Sequence, residues 1–517
     1  MKSNRRVWLK TGLGTVASGA LLASAGAALA PAALAAQPPT SRNARLGGLL
    51  NQLGQQAVWK SPELRLLRRT SHGHTAHQVA RALELGYEAY LEEQLHPQRI
   101  DDSACDSHIA AIYRDLLVLT PRQVITLSES GDQYFPVTRP LARMTVERAM
   151  LSERTLLERM VEFWSDHFHV PIDSANSLKL FHDQRVIRPN ALGTVSDLIN
   201  ASMRSPAMLW YLDQVWNTRW GINENYAREL MELHTLGWNG GYTQRDVREL
   251  ARVLTGWSVD GQGLFQYKAD THDFDAKTVL GMNFPASKPD TGTAGMDEGI
   301  AFAAMLANHP STKRFIAAKL LRWFVRPDPT EAQIGAVVAA HTRTGGDIKA
   351  MLRVVLSREN IMRAPAKLKR PLHLMVSALR STGARAVPVA DVRRDFDGLY
   401  HPLQGMGHGV GAWQTPDGYP DRADFWAWMI IDRWNSMNSV LQVANTGGGC
   451  TIADLDPFLS TPTVDGVIAA IRLRLFGGEM STDLDAELRT WLAAGISRSR
   501  VLDALRLAAM APEFQFY

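Results

Sequence analysis

A chain of 517 residues with 45% hydrophobic content can bury a large core, so it is no small stapled scaffold, and its length suits one large domain or two to three smaller ones. Its 56 basic and 52 acidic residues are mixed along the chain and leave a formal net charge of +4, a balance that points to neither nucleic acid nor a charged membrane surface as partner. The only cysteines, Cys105 and Cys450, exclude CxxC, zinc and haem-attachment spacings and leave two readings open, a disulfide or two separate buried thiols.

Residues 1–36 read as a signal peptide. Arg5-Arg6 precedes Val7-Trp8-Leu9-Lys10, a mildly apolar Ala- and Gly-rich stretch runs from Thr11 to Ala30, and Ala33-Leu34-Ala35 offers a small-residue cleavage site. This is the pattern of a twin-arginine signal and predicts a periplasmic or secreted protein. Gly12, Gly14, Ser18, Gly19, Ser24 and Gly26 dilute the stretch below the roughly 20 strongly apolar residues of a stable span, so no membrane span is expected after signal removal. Export in folded form raises the expectation of a metal or other prosthetic group without naming one.

Residues 37–61 form a polar lead, and residues 62–517 read as one helical domain. Leu64 to Arg69 opens it. Thr75 and Gln78 have capping-box spacing for a helix closed at Gly86, and Tyr87 to Leu95 makes the next. From Val146 to Phe168, with Leu157, Met160, Val161, Trp164 and Phe168 on one face, the 3.6-residue period predicts one long buried helix ended by Pro171. Ser205-Pro206 starts a short helix, Asn223 to Leu236 another, and Thr243 with Asp246 caps a third that stops before Gly256. Further helices are expected at Ser311 to Val325, Glu331 to Thr342, Asp347 to Leu356, Pro371 to Thr382, Asp424 to Asn435, Val464 to Leu475 and Ser499 to Ala509. Strand-like alternation is confined to the region from Ser258 to Tyr267. The fold class is therefore mostly α, a large multi-helix globular domain with few short strands and two long loops, Asp260 to Asp297 and Gly383 to Asp421, of the length that often carries function.

Several segments carry a family resemblance: Leu66-Leu67-Arg68-Arg69, Phe163-Trp164-Ser165-Asp166-His167-Phe168, Pro206-Ala207-Met208-Leu209-Trp210-Tyr211-Leu212-Asp213, and the run Asn223-Glu224-Asn225-Tyr226-Ala227-Arg228-Glu229-Leu230 continuing to Gly237. With Leu254-Thr255-Gly256-Trp257, His272-Asp273 and Lys369-Arg370-Pro371, the chain resembles the bacterial DUF1800 family over roughly residues 62–436. The resemblance implies an exported helical protein and a co-exported sulfatase- or phosphatase-like partner, and it brings no catalytic residues. Asp166 stands where the family usually has Asn, and Gly418-Tyr419-Pro420-Asp421 replaces Gly-Trp-Pro-Gly.

Side-chain chemistry concentrates in few places. At 100° per residue Asn225, Glu229 and Glu232 fall on one border of the buried face of their helix. Carboxylates so placed need partners: a divalent metal completed by a histidine, or Arg228, Arg248 and Arg252. His272-Asp273-Phe274-Asp275 offers aspartates at a spacing hard cations use, with His272 as ligand or proton shuttle, or else a turn in which the aspartates hold backbone amides. His167 reads as ligand, general base or hydrogen-bonded core histidine. Asp213 closes a helix against its dipole, with Arg219 as a ready partner. Arg363, Lys367, Lys369 and Arg370 read as a basic patch before Pro371, a solvated helix approach or a face for an anionic substrate, Trp164 and Trp323 as core, and Trp413 and Tyr419 as exposed aromatic platforms. Two functions follow as expectations: a metal-assisted hydrolase using Glu229, Glu232, His272, Asp273 and His167 with Asp213 as orienter, or a non-catalytic exported binding or assembly partner, including a carbohydrate binder.

Overall fold

Local signals place the helix starts. In a computed structural model describing residues 59–129, 137–288, 292–386, 397–427, 429–441, 451–452 and 454–517, Thr75 and Gln78 form a reciprocal capping box that opens the helix Ala76–Leu85, and Thr243 with Asp246 does the same for Gln244–Val253. Each box satisfies amide donors that the first helical turn leaves free. The twin-arginine signal, most of the lead segment and Cys450 lie outside the described residues. Cys105 is a free, buried thiol that desolvation pushes up to about 12.

The architecture is mostly α. Its strands form two-stranded antiparallel ladders, of which Trp257–Val259 with Phe265–Tyr267 answers to the alternation seen in sequence. No helix among the described residues is long and apolar enough to cross a membrane.

Two departures from the 3.6-residue period matter for the site. First, the long helix expected from Val146 to Phe168 is two helices, Thr138–Leu151 and Thr155–His167. The break is tertiary in origin. Buried Asp102 accepts from Ser152 Oγ (2.7 Å) and from the Glu153 amide (2.8 Å), giving the interrupted backbone a partner that the helix would otherwise supply. Second, the helix begun at Asn225 widens after Glu229 into a π-helix over Leu230–Thr235, where the Leu236 amide reaches back to the Met231 carbonyl. A second π-helix spans His182–Ile187. Such widenings are rare and concentrate at functional places.

Apolar side chains gather in two large clusters. Leu156, Met160 and Trp164 of the helix Thr155–His167 belong to the first, while Leu141, Met144 and Val146 of Thr138–Leu151 belong to the second. The seam between these two helices is where buried charge accumulates.

Candidate functional site

Segments far apart in sequence meet around His167. Its Nε2–H donates to the His234 carbonyl (3.0 Å), which fixes Nδ1 as an acceptor for Lys319 Nζ (2.9 Å). Burial first, and Lys319 second, hold His167 well below the ordinary imidazole range, so the ring is neutral. His182, on the other π-helix, bonds Ser205 Oγ (2.8 Å) and the Phe168 carbonyl (3.0 Å). The loop before Asp421 folds over the same place. Tyr211 donates to the Gln414 carbonyl and His169 to that of Trp413. At Gly418, with φ +71°, a Cβ would sit 2.1 Å from the Asp166 carbonyl oxygen, so only glycine permits the approach.

Glu229 stands at the edge of this assembly, half-buried. Among the described residues it forms no ion pair. Arg228, expected to neutralise this face, pairs instead with Glu224 (3.2 Å) and Gln244 (2.9 Å). Arg252 is taken by Glu249 (2.9 Å) and Asp273 (2.7 Å). Burial, then repulsion from Glu232, raises the Glu229 carboxyl to about 7, with Arg228 opposing and Asp417 adding. Glu232 accepts from the Tyr242 hydroxyl (3.2 Å). Burial lowers Lys319 to about 8 against the pull of Asp166 and Asp417. A carboxyl and an amine thus both titrate near neutrality beside one exposed carboxylate, a pattern that marks acid–base sites.

The other expected ligands are elsewhere engaged. Buried His272 turns Nδ1 to the Thr255 carbonyl (2.8 Å), and its Nε2 lies 3.6 Å from Glu298, itself paired to Lys277 (3.0 Å). Asp273 grips Arg252 and caps the Asp275 amide (2.9 Å), which is the turn arrangement rather than a cation loop. Among the described residues no group of three or more His, Cys, Asp or Glu is placed to hold a metal ion, so Glu229, Glu232, His272 and Asp273 do not assemble as a metal set. Asp213 is exposed, and its left-handed backbone (φ +60°) accounts for an aspartate after the helix Pro206–Tyr211. Asn225 is exposed at its helix start, where its amide bonds the Asn223 side chain (3.0 Å).

Sequence reasoning missed the charged seam. Glu158, Glu162 and Asp166, spaced i, i+4 and i+8 on one helix, pair respectively with Arg188 (2.7 Å), Arg159 (2.5 Å) and Arg370 (2.7 Å). Arg370 lies 3.4 Å from Glu162 as well, and Trp323 lies under both Arg159 and Arg370. Lys369 and Arg370 are therefore buried, correcting the solvated-patch expectation, although Arg363 is exposed. Tyr419 is buried too, so it is no exposed platform. The available signal was the carboxylate spacing next to a strong apolar face. A cavity of about 80 Å³ opens along this seam.

A family model described as a protein of unknown function, DUF1800, matches residues 65–516. No curated protein and no solved structure matches the chain.

Proposed function

The chain belongs to the DUF1800 family of proteins of unknown function, and on that premise we propose that it is an exported hydrolase working by general acid–base catalysis at Glu229. The observation that carries this reading is a half-buried carboxyl with no ion-pair partner among the described residues, raised to about 7. A fold-stabilising carboxylate is ordinarily paired and driven the other way. With its titration near neutral pH, Glu229 can take a proton from water and return it to a leaving group. Lys319, near 8 and hydrogen-bonded to His167, supplies positive charge that Asp417 also feels. Arg5-Arg6 supports export, and an Arg5→Lys/Arg6→Lys variant retained in the cytoplasm would bear it out. The sulfatase- or phosphatase-like partner rests on family resemblance alone and calls for co-purification.

The test is a carboxyl titration by NMR, with Glu229→Gln as the assignment control, beside assays on p-nitrophenyl esters, phosphates and glycosides. The reading expects one carboxyl titrating near 7 that disappears in the variant, together with a hydrolytic activity whose pH profile turns near the same value. A Glu229 that titrates at the ordinary glutamate position, or activity unchanged in Glu229→Gln, rules it out. Trp216, Trp220 and Trp238, 64%, 70% and 61% exposed, favour a second reading, a non-catalytic surface for carbohydrate or a protein partner. Glycan-array binding lost in Trp216→Ala and Trp220→Ala would select it.

A further inference from the structure

A second, smaller cavity lies beside the helix Pro371–Ser381. His373, Ser377 and Ser381, four residues apart on one face of that helix, line it together with Lys369 just before the helix and with Arg68, His74, Glu513 and Phe514. Its volume of about 10 Å³ suits one particle near the size of water, for which roughly 10–15 Å³ is the usual requirement.

Lys369 is the unpartnered group of this wall. It is 7% exposed, and its ammonium makes no hydrogen bond and no ion pair among the described residues; Nζ stands 3.9 Å from the centre of the Phe514 ring. The serine hydroxyls are spent, that of Ser377 on the His72 carbonyl (2.9 Å) and that of Ser381 on the Ala378 carbonyl (3.2 Å). Positive charge accumulates behind the amine. Arg68 gives Nη2 to the Phe476 carbonyl (2.5 Å), and Arg433 gives Nε to Gln515 Oε1 (2.8 Å) and Nη2 to the Lys369 carbonyl (2.9 Å). Neither arginine is in an ion pair among the described residues. Glu513 takes the hydroxyl (2.7 Å) and the amide (3.0 Å) of Ser481, and Glu479 takes the amides of Lys60 (3.1 Å) and Ser61 (2.7 Å). Both acids act on Arg68 through space. Neither offsets the charge at Lys369, whose amine is held well below the lysine range by burial first and then by Arg68 and Arg433. A buried cation is costly unless it is paired or sheds its proton.

We propose that this cavity binds one chloride-sized halide, held by the Lys369 ammonium in the field of Arg68 and Arg433. A water in the same place leaves all three cations without a counter-charge. The halide supplies one, restores the charged amine that burial disfavours, and fits because it is a single atom. The site shares no residue with the one around Glu229 and stands whether or not that residue is catalytic.

The test is the melting temperature of the full chain as sodium chloride replaces sodium gluconate at constant ionic strength, so that screening is unchanged and the bulky anion cannot enter. Mass action on the native state predicts a rise of about 1–2 °C for each tenfold increase in chloride above its dissociation constant. Lys369→Met keeps the stem over Phe514 and removes the charge; it should keep a native circular dichroism spectrum and lose the chloride response. Should that variant not fold, the wild-type protein decides alone: crystals grown in sodium bromide should show an anomalous peak within hydrogen-bonding reach of Lys369 Nζ. Equal melting in the two salts, an unaltered chloride response in Lys369→Met, or no bromide beside Nζ, meaning a cavity of water only, overturns the proposal.

Discussion

Glu229 costs the fold more as a carboxylate than as an acid. Its folded pKa lies above its unfolded value, at about 7 against 4.5, so the native state holds a proton between those values that the unfolded chain releases. Stability therefore falls as pH rises through that window, and the penalty is complete above 7. Glu229→Gln should leave stability unchanged at pH 4 and raise it at pH 8 by about 1–2 kcal/mol, a figure reduced from the full shift because the group is partly solvated. Denaturant melts at the two pH values check this, and a gain of equal size at both would mean that the variant acts by packing. Arg370 makes the opposite case. It is 2% exposed and bonded to Asp166, and Arg370→Ala leaves the largely buried Asp166 without its guanidinium and takes one of several partners from Glu162, a loss of about 3–5 kcal/mol. The double variant with Asp166→Asn should recover part of it, as a double-mutant cycle would measure.

Helix starts were legible because a cap is a local device: Thr and its partner three residues on decide it among themselves. Where the chain departs from its periodicity, the cause is distant. Nothing in the run from Val146 to Phe168 announces that Asp102 will take the Ser152 hydroxyl and the Glu153 amide. The seam was hidden for the same reason, since Glu158, Glu162 and Asp166 look like a solvated edge until the second apolar cluster covers it. Glu229 and Glu232 were visible as candidates, but two of the arginines expected to neutralise them are held elsewhere, Arg228 by Glu224 and Arg252 by Glu249 and Asp273. The π-helix Leu230–Thr235 has a consequence of its own. It carries His234 fully inside, with both ring nitrogens lacking hydrogen-bond partners and the imidazole lowered to about 3 by burial first and then by Lys319. An unsatisfied buried polar group costs about 1–3 kcal/mol, and aromatic rings of Phe168 and His167 surround it. His234→Phe should therefore stabilise the protein by about 1–2 kcal/mol. Destabilisation by that much would show that the ring nitrogens hold an ordered partner.

At the scale of the molecule, buried imidazoles set the pH response. His72, His74, His167, His169, His182, His373 and His408 are all lowered, with burial the leading cause. Each takes its proton at lower pH in the fold than in the unfolded chain, where an imidazole charges below about 6.5, so the unfolded state binds more protons and stability falls as pH drops. Glu158 and Glu162 act in the same direction at lower pH, being held below the carboxylate range against burial chiefly by arginines. Glu229, Asp166 and Glu513, all raised, oppose this, but three carboxyls cannot offset so many imidazoles. Each histidine contributes up to about 1.4 kcal/mol per pH unit once its unfolded form is charged. Unfolding free energy should thus be nearly level between pH 7 and 8 and fall by several kcal/mol between 6.5 and 5, with multi-proton uptake on unfolding in that interval. Added salt should move the midpoint little, because the charges of the seam are buried and screened less than surface pairs. Urea melts at half-unit pH steps in low and high salt would show both, and a flat profile down to pH 5 would mean that these rings are protonated or hydrated within the fold.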